Sequence, residues 1–222
     1  MYTLFVQKCS ADATPFPLTA LLNDFLRYTW ADGVFLAPGH LSKTARTAGD
    51  VLDVFLHHTN VNLVGLGNIY GPNTVTLYEN LLRTKGKLLQ VVRSNRSDHR
   101  KMVFIYNCTQ NTPVRLTRAE LDDFLDSIHM VGVAIGSSNC SYTTYGSLNP
   151  GGSPANKGEA DILMFDNPNY ADHISRQIRQ EDILDIRLPG APRMVLSENI
   201  TPVDSQVFLK DIFRQTLELT LL

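Results

Sequence analysis

The sequence predicts an α/β fold, with a mixed, mostly parallel central sheet flanked by helices on both faces. Three observations carry that expectation. Short apolar runs alternate with segments whose apolar residues recur at helical spacing. The short runs are apolar on both faces, as strands buried under helices are. The 222 residues, 43% of them hydrophobic and 19% charged, are enough for one sizeable core and point to a single domain over residues 1–222.

The elements follow in order. Leu4-Phe5-Val6 is a short apolar opening run. Residues 17–29 carry Leu18, Leu21, Leu22, Phe25 and Leu26 at helical spacing. Gly33 to Ala37 reads as a buried strand ended by Pro38-Gly39. Residues 48–58 read as a second helix, 61–66 as a strand, 73–83 as a helix and 87–93 as a strand. Met102 to Tyr106 is rich in β-formers. Thr117 to His129 reads as an amphipathic helix, with Thr117 and Glu120 forming a capping box. It would be a helical insertion of about 107–129 ahead of the buried strand 130–135.

Residues 146–158, GSLNPGGSPANKG, are a loop by composition. Ala160 to Phe165 is a strand, Tyr170 to Leu184 a helix and Met194 to Leu196 a strand. The tail from Asp204 fits either a helix or strands, and about 170–222 forms a C-terminal extension. Trp30 is expected in the core. Pro189-Gly190-Ala191-Pro192 is the best place for a domain boundary, and a weak one.

Composition excludes several classes. Twenty Lys+Arg stand against 22 Asp+Glu, a net charge of −2, so the chain is not strongly basic, although a local basic patch can still meet phosphate. No apolar run approaches the roughly 20 residues of a membrane span, and the opening residues lack the pattern of a signal peptide. The expectation is a cytoplasmic protein with no membrane association. The three Cys (Cys9, Cys108, Cys140) show no C-x-x-C spacing, which argues against a disulfide framework or a thiolate zinc site. His40, His57 and His58 have no metal-ligand spacing, so no metal and no cofactor are expected. Three N-x-S/T matches, at Asn95, Asn107 and Asn139, are chance matches in such a protein.

Three features carry chemistry. His99-Arg100-Lys101 precedes the strand 102–106, Gly136-Ser137-Ser138-Asn139 follows the strand 130–135, and Glu159 opens the strand 160–165. Strand ends are where open α/β sheets place ligands. A His and a Lys two apart share a strand face, giving a nucleophile beside a phosphate-binding cation. Ser and Asn add neutral donors for phosphate oxygens. A carboxylate can hold the imidazole in one tautomer. Together they fit attack on a phosphodiester through a phosphohistidine, with a second His to protonate the leaving oxygen. Arg93, Arg96, Arg100 and Ser138 would add contacts to the phosphate backbone. Each residue has a plainer reading. His99 also suits a polar surface turn, Lys101 and Glu159 suit solvated charges, and Ser137 and Asn139 suit the turn that closes a strand.

The ordered set of His99-x-Lys101, Gly136-Ser137-x-Asn139 and Glu159 resembles the signature of the phospholipase D superfamily, H-x-K-x4-D, then G-S-x-N, then a downstream Glu in a strand. The resemblance spans roughly Ala31 to Phe165. It is similar to the single-motif branch that includes metal-independent restriction endonucleases and HKD-family nucleases. It implies a phospholipase D-like fold, with His99 the nucleophile, Lys101, Ser137 and Asn139 on the phosphate, and Glu159 orienting His99. One H-x-K and one G-S-x-N imply a homodimer, in which a second copy supplies the general acid. The implied activity is hydrolysis of DNA by an endonuclease of restriction or defence type, with a possible partner subunit supplying DNA specificity. Two alternatives stay open: a phospholipid or other phosphodiester hydrolase or transferase on the same scaffold, and a catalytically inactive nucleic-acid-binding module. Two departures stand out. Tyr106 occupies the position of the family's Asp, and Lys101 and Gly136 lie 35 positions apart, where a short hairpin is usual.

Overall fold

A computed structural model describes residues 1–8, 17–37, 44–56, 59–69, 72–93, 100–113, 116–136, 159–183, 193–198 and 204–221. Among the described residues eight strands form one sheet: β1 (Tyr2–Lys8), β2 (Gly33–Ala37), β3 (Leu63–Ile69), β4 (Leu88–Arg93), β5 (Met102–Cys108), β6 (Ile128–Gly136), β7 (Glu159–Phe165) and β8 (Arg193–Glu198). The described helices are α1 (Pro17–Thr29), α2 (Ala45–Leu56), α3 (Pro72–Thr84), α4 (Leu121–Asp126), α5 (Pro168–Ile183) and α6 (Ser205–Thr220).

The strand order is β4-β3-β2-β5-β6-β7-β1-β8. The sheet is mixed, as expected, but it is not mostly parallel. Only β2–β3 and β3–β4 run parallel, while β2–β5, β5–β6, β6–β7, β1–β7 and β1–β8 are antiparallel. The expectation fails because burial on both faces does not require parallel strands. Here helices cover both faces of antiparallel strands as well, so burial does not report direction.

Side-chain alternation divides the core in two. Val34, Leu36, Val64, Leu66, Val103, Ile105, Leu163 and Phe165 meet Phe25 of α1, Phe55 of α2, Tyr78 of α3 and Tyr170 of α5. On the other face Phe35, Phe104, Tyr106, Met130 and Val133 meet Phe124 of α4 and Leu209, Phe213 and Leu217 of α6. Gln206 fastens α6 to β6 by two bonds: its side-chain amide donates to the Met130 carbonyl at 2.6 Å and accepts from the Met130 N–H at 2.9 Å. The segment expected as a C-terminal extension thus supplies α5, an edge strand and α6 to the same layers.

Two local expectations are corrected. The helix expected over 117–129 is a 3-10 turn, Arg118–Glu120, followed by the short α4. The capping contacts are present, with the Thr117 N–H and Oγ1 both donating to Glu120 Oε2, at 3.2 and 2.8 Å. The helix stops because Ser127 turns the chain, its N–H reaching the Asp123 and Phe124 carbonyls. Ile128, His129 and Met130 then pair with Cys108, Asn107 and Tyr106 as strand. Trp30, expected in the core, is 74% exposed. It takes φ 55 just past α1, the left-handed conformation that ends helices and is usually given to glycine or asparagine.

Candidate active site at one end of the sheet

The register brings the motif-bearing segments to one end of the sheet. Ala37, which ends β2, pairs with Met102, which opens β5. Met102 pairs with Ile135, and the Gly136 N–H donates to the Lys101 carbonyl at 3.1 Å, carrying the ladder one residue past β5. Gly136 pairs in turn with Asp161, and Glu159 pairs with Lys8. Lys101, Gly136 and Asp161 therefore lie side by side on three neighbouring strands. Lys101 and Asp161 are two strand spacings apart, about 10 Å between Cα atoms. By alternation they belong to the face that carries Val103, Ala134 and Leu163.

His99, Arg96, Ser137, Ser138 and Asn139 lie outside the described residues, as do His40, His57, His58 and the loop 146–158; Arg93 and Glu159 are described by their backbone alone. Arg93 ends β4, three strands away from β5 at the same end. Arg100 alternates onto the opposite face from Lys101. Its Nη2 donates to Thr220 Oγ1 at 3.5 Å, at the C-terminal end of α6, where the helix dipole favours a cation. Arg100 thus ties the H-x-K segment to the last helix.

Tyr106, where the phospholipase D pattern would have an Asp, is fully buried in the cluster under α6, edge-on to Phe124 at 5.8 Å. Burial, then Cys108 and Asp32, raise its hydroxyl well above the usual tyrosine range. The ring lies over Gly33, where a Cβ would come within 2.1 Å of it, so position 33 is restricted to glycine while Tyr106 is present. Cys108 is not a candidate nucleophile. Burial and Asp32 push its thiol up to about 12, so the thiolate is scarce at neutral pH.

The sequence reading missed one carboxylate. Asp161 is 3% exposed, and its carboxylate lies directly over Gly136. A Cβ on Gly136 would stand 2.0 Å from Asp161 Oδ1 and 2.5 Å from the Ala160 carbonyl oxygen. The only signal was parity, since Asp161 is two residues beyond Glu159 and shares its strand face. Gly136→Ala is expected to cost about 1–3 kcal/mol by overpacking, read as a lowered urea midpoint. Gly49→Ala in α2, where nothing lies within 4 Å of the added Cβ, is expected to be neutral or stabilising.

A second titratable cluster sits at the opposite end of the sheet, between the end of α1 and the start of α5. His173 Nε2 is 3.3 Å from Asp24 Oδ2, and its ring stacks on Tyr28 at 5.1 Å. Burial and Asp24 raise the hydroxyl of Tyr170 beneath them. Among the described residues, no three His, Cys, Asp or Glu side chains are grouped to hold a metal ion, and no helix is long and apolar enough to cross a membrane.

Compared with known proteins, the chain matches no protein-family model and no curated protein.

Proposed function

We propose that the chain is a metal-independent phosphodiesterase of the phospholipase D type, acting on DNA as a homodimer. What supports the reading is that the segments bearing H-x-K, G-S-x-N and the downstream Glu, scattered over 60 positions of sequence from His99 to Glu159, reach one end of three adjacent strands. In this mechanism the His99 imidazole attacks phosphorus and the bond to the leaving oxygen breaks. The His99 of a second copy gives that oxygen its proton. Water then attacks the phosphohistidine, deprotonated by the same imidazole, and frees His99. Lys101, Ser137 and Asn139 bind the non-bridging oxygens and stabilise the charge they gain in the transition state. Glu159 orients His99 and stabilises its charged form.

The test is cleavage of plasmid and single-stranded DNA in excess EDTA, wild type beside His99→Ala. Removing the nucleophile is expected to abolish cutting, a loss of at least about 10³-fold, with unchanged folding. Equal cutting by both proteins would overturn the mechanism. Cutting by neither, with the protein folded and dimeric, would overturn the assignment to DNA.

A further inference from the structure

We infer that β8 is a self-association edge: two copies of the chain join antiparallel through it, with Val195 opposite its own copy on a two-fold axis normal to the sheet. The inference goes beyond the proposed function and does not depend on it. β8 ends the strand order beyond β1, and its inner side pairs with β1 from Glu198 against Tyr2 to Arg193 against Gln7. Its outer N–H and C=O groups meet no strand among the described residues, and such a row is a template for pairing with another chain. Edges are commonly blunted by Lys, Pro or a bulge. β8, RMVLSE, has no Lys or Pro, pairs with β1 without a register shift, and carries its charges only at its two ends. Val195 is 59% exposed on one face. On the other face Met194 and Leu196 line a groove of about 650 Å³ beside α5, with Tyr2, Ala171, Ser175 and Ile178. Both faces of the edge thus carry apolar surface that a further strand would cover.

The residues of β8 select a second copy as the occupant. A two-fold axis between identical antiparallel strands sets one residue opposite itself. With Val195 on the axis, Val195 faces Val195, Met194 faces Leu196 of the second copy, and Arg193 faces Ser197. Apolar meets apolar and no like charges are opposed. An axis at Leu196 would set Met194 against Glu198 and Val195 against Ser197, and an axis at Met194 would set Arg193 against Val195. The other edge fails the same comparison. Pairing β4 with its copy about Gln90 sets Lys87 against Arg93 twice, and like charges directly opposite are destabilising. Asp172, an acid on the β8 groove, is already paired with Arg176 at 2.9 Å. Five strand pairs run about 17 Å and α5 about 24 Å, each layer about 10 Å deep, so the contact covers roughly 400 Å² per partner in projection. A standard interface buries about 800 Å² per partner. The β8 dimer is therefore a weak one that forms and dissociates with concentration.

Sedimentation of the intact protein from about 1 μM to about 1 mM reads the association. The wild type is expected to double in mass as the concentration rises. Val195→Lys and Val195→Glu each set like charges on the axis, and each alone is expected to weaken the association about tenfold or more. Mixed in equal amounts, they set Lys against Glu and restore it to within about threefold of the wild type. Position 195 is exposed in the single copy, so both variants are expected to keep the fold. Amide hydrogen exchange of the wild type needs no variant: the β8 amides gain protection with concentration and the β4 amides do not. A wild type whose mass does not rise, single variants that associate like the wild type, a mixture no stronger than its components, or β8 amides indifferent to concentration would overturn the inference. Copies joined through their strand ends alone would keep their mass in both variants, so this test and the DNA-cleavage test fail separately.

Discussion

Tyr106→Asp, which would install the acid of the phospholipase D pattern, is expected to leave no stable domain. The side chain at 106 has no exposed surface and packs among Phe124, Phe213 and the backbone of Gly33. Removing the ring opens a cavity, and large-to-small changes at such sites cost about 3–5 kcal/mol. The carboxylate adds a second penalty, since it would be neutralised or left unpaired in an apolar cluster. The sum approaches the whole stability of an ordinary domain, about 5–15 kcal/mol. The expected observation is insoluble protein, or a urea midpoint shifted toward zero. Tyr106→Phe is the comparison. The Tyr106 hydroxyl is buried and makes no hydrogen bond among the described residues, so its removal should be neutral or stabilising. A folded, stable Tyr106→Asp would mean that position 106 can turn toward the site after all.

Phe213→Ala should cost about 3–5 kcal/mol, enough to lower the melting temperature by roughly 10 °C in a domain of this size. Phe213 is the fully buried centre of the second cluster. Its ring stacks on Phe104 at 4.3 Å and 14°, and lies 5.3 Å from Phe35 and 5.8 Å from both Tyr106 and Phe124. No single neighbour can fill the space, because three of the four rings are held in strands. The same residue holds α6 to the sheet, so the variant is also expected to lose protection of the α6 amides in hydrogen exchange. Val207→Ala, on the exposed side of the same helix, should change stability by less than about 0.5 kcal/mol.

Much of the layer arrangement was legible in the sequence, because apolar periodicity reports burial. Residues 17–29 and 33–37 coincide with α1 and β2. Strand direction was not legible, because periodicity carries no sign and the direction follows from what each connection does. The connection after β5 contains a helix, yet the helix is six residues long beside the sheet, and β6 returns antiparallel. Ile128 satisfied a helical reading because it stands four residues after Phe124 and three after Leu125, which continues the short amphipathic pattern. Trp30 was misplaced by its hydrophobicity alone, since the backbone at the end of α1 turns it outward. For the site, the order of the motif segments was legible and their meeting at one sheet end followed from it. The place of Asp161 over Gly136 was not legible, because it is set by the β6–β7 register, which no local pattern encodes.

The place of β5 in the strand order constrains any assembly that shares a catalytic histidine between two copies. β5 is the fourth strand from the β4 edge and the fifth from the β8 edge. Joining two molecules edge to edge would extend the sheet into a longer ribbon, with the two Lys101 positions roughly 30–45 Å apart at about 4.8 Å per strand. No side chain spans that gap. A two-fold axis that brings the histidines together must instead pass near the strand ends, so that the two sheets abut like the ends of two planks. For the proposed dimer, joining of edge strands and meeting of the motif-bearing strand ends are thus separate events, and a dimer formed by the first would leave the two Lys101 positions far apart.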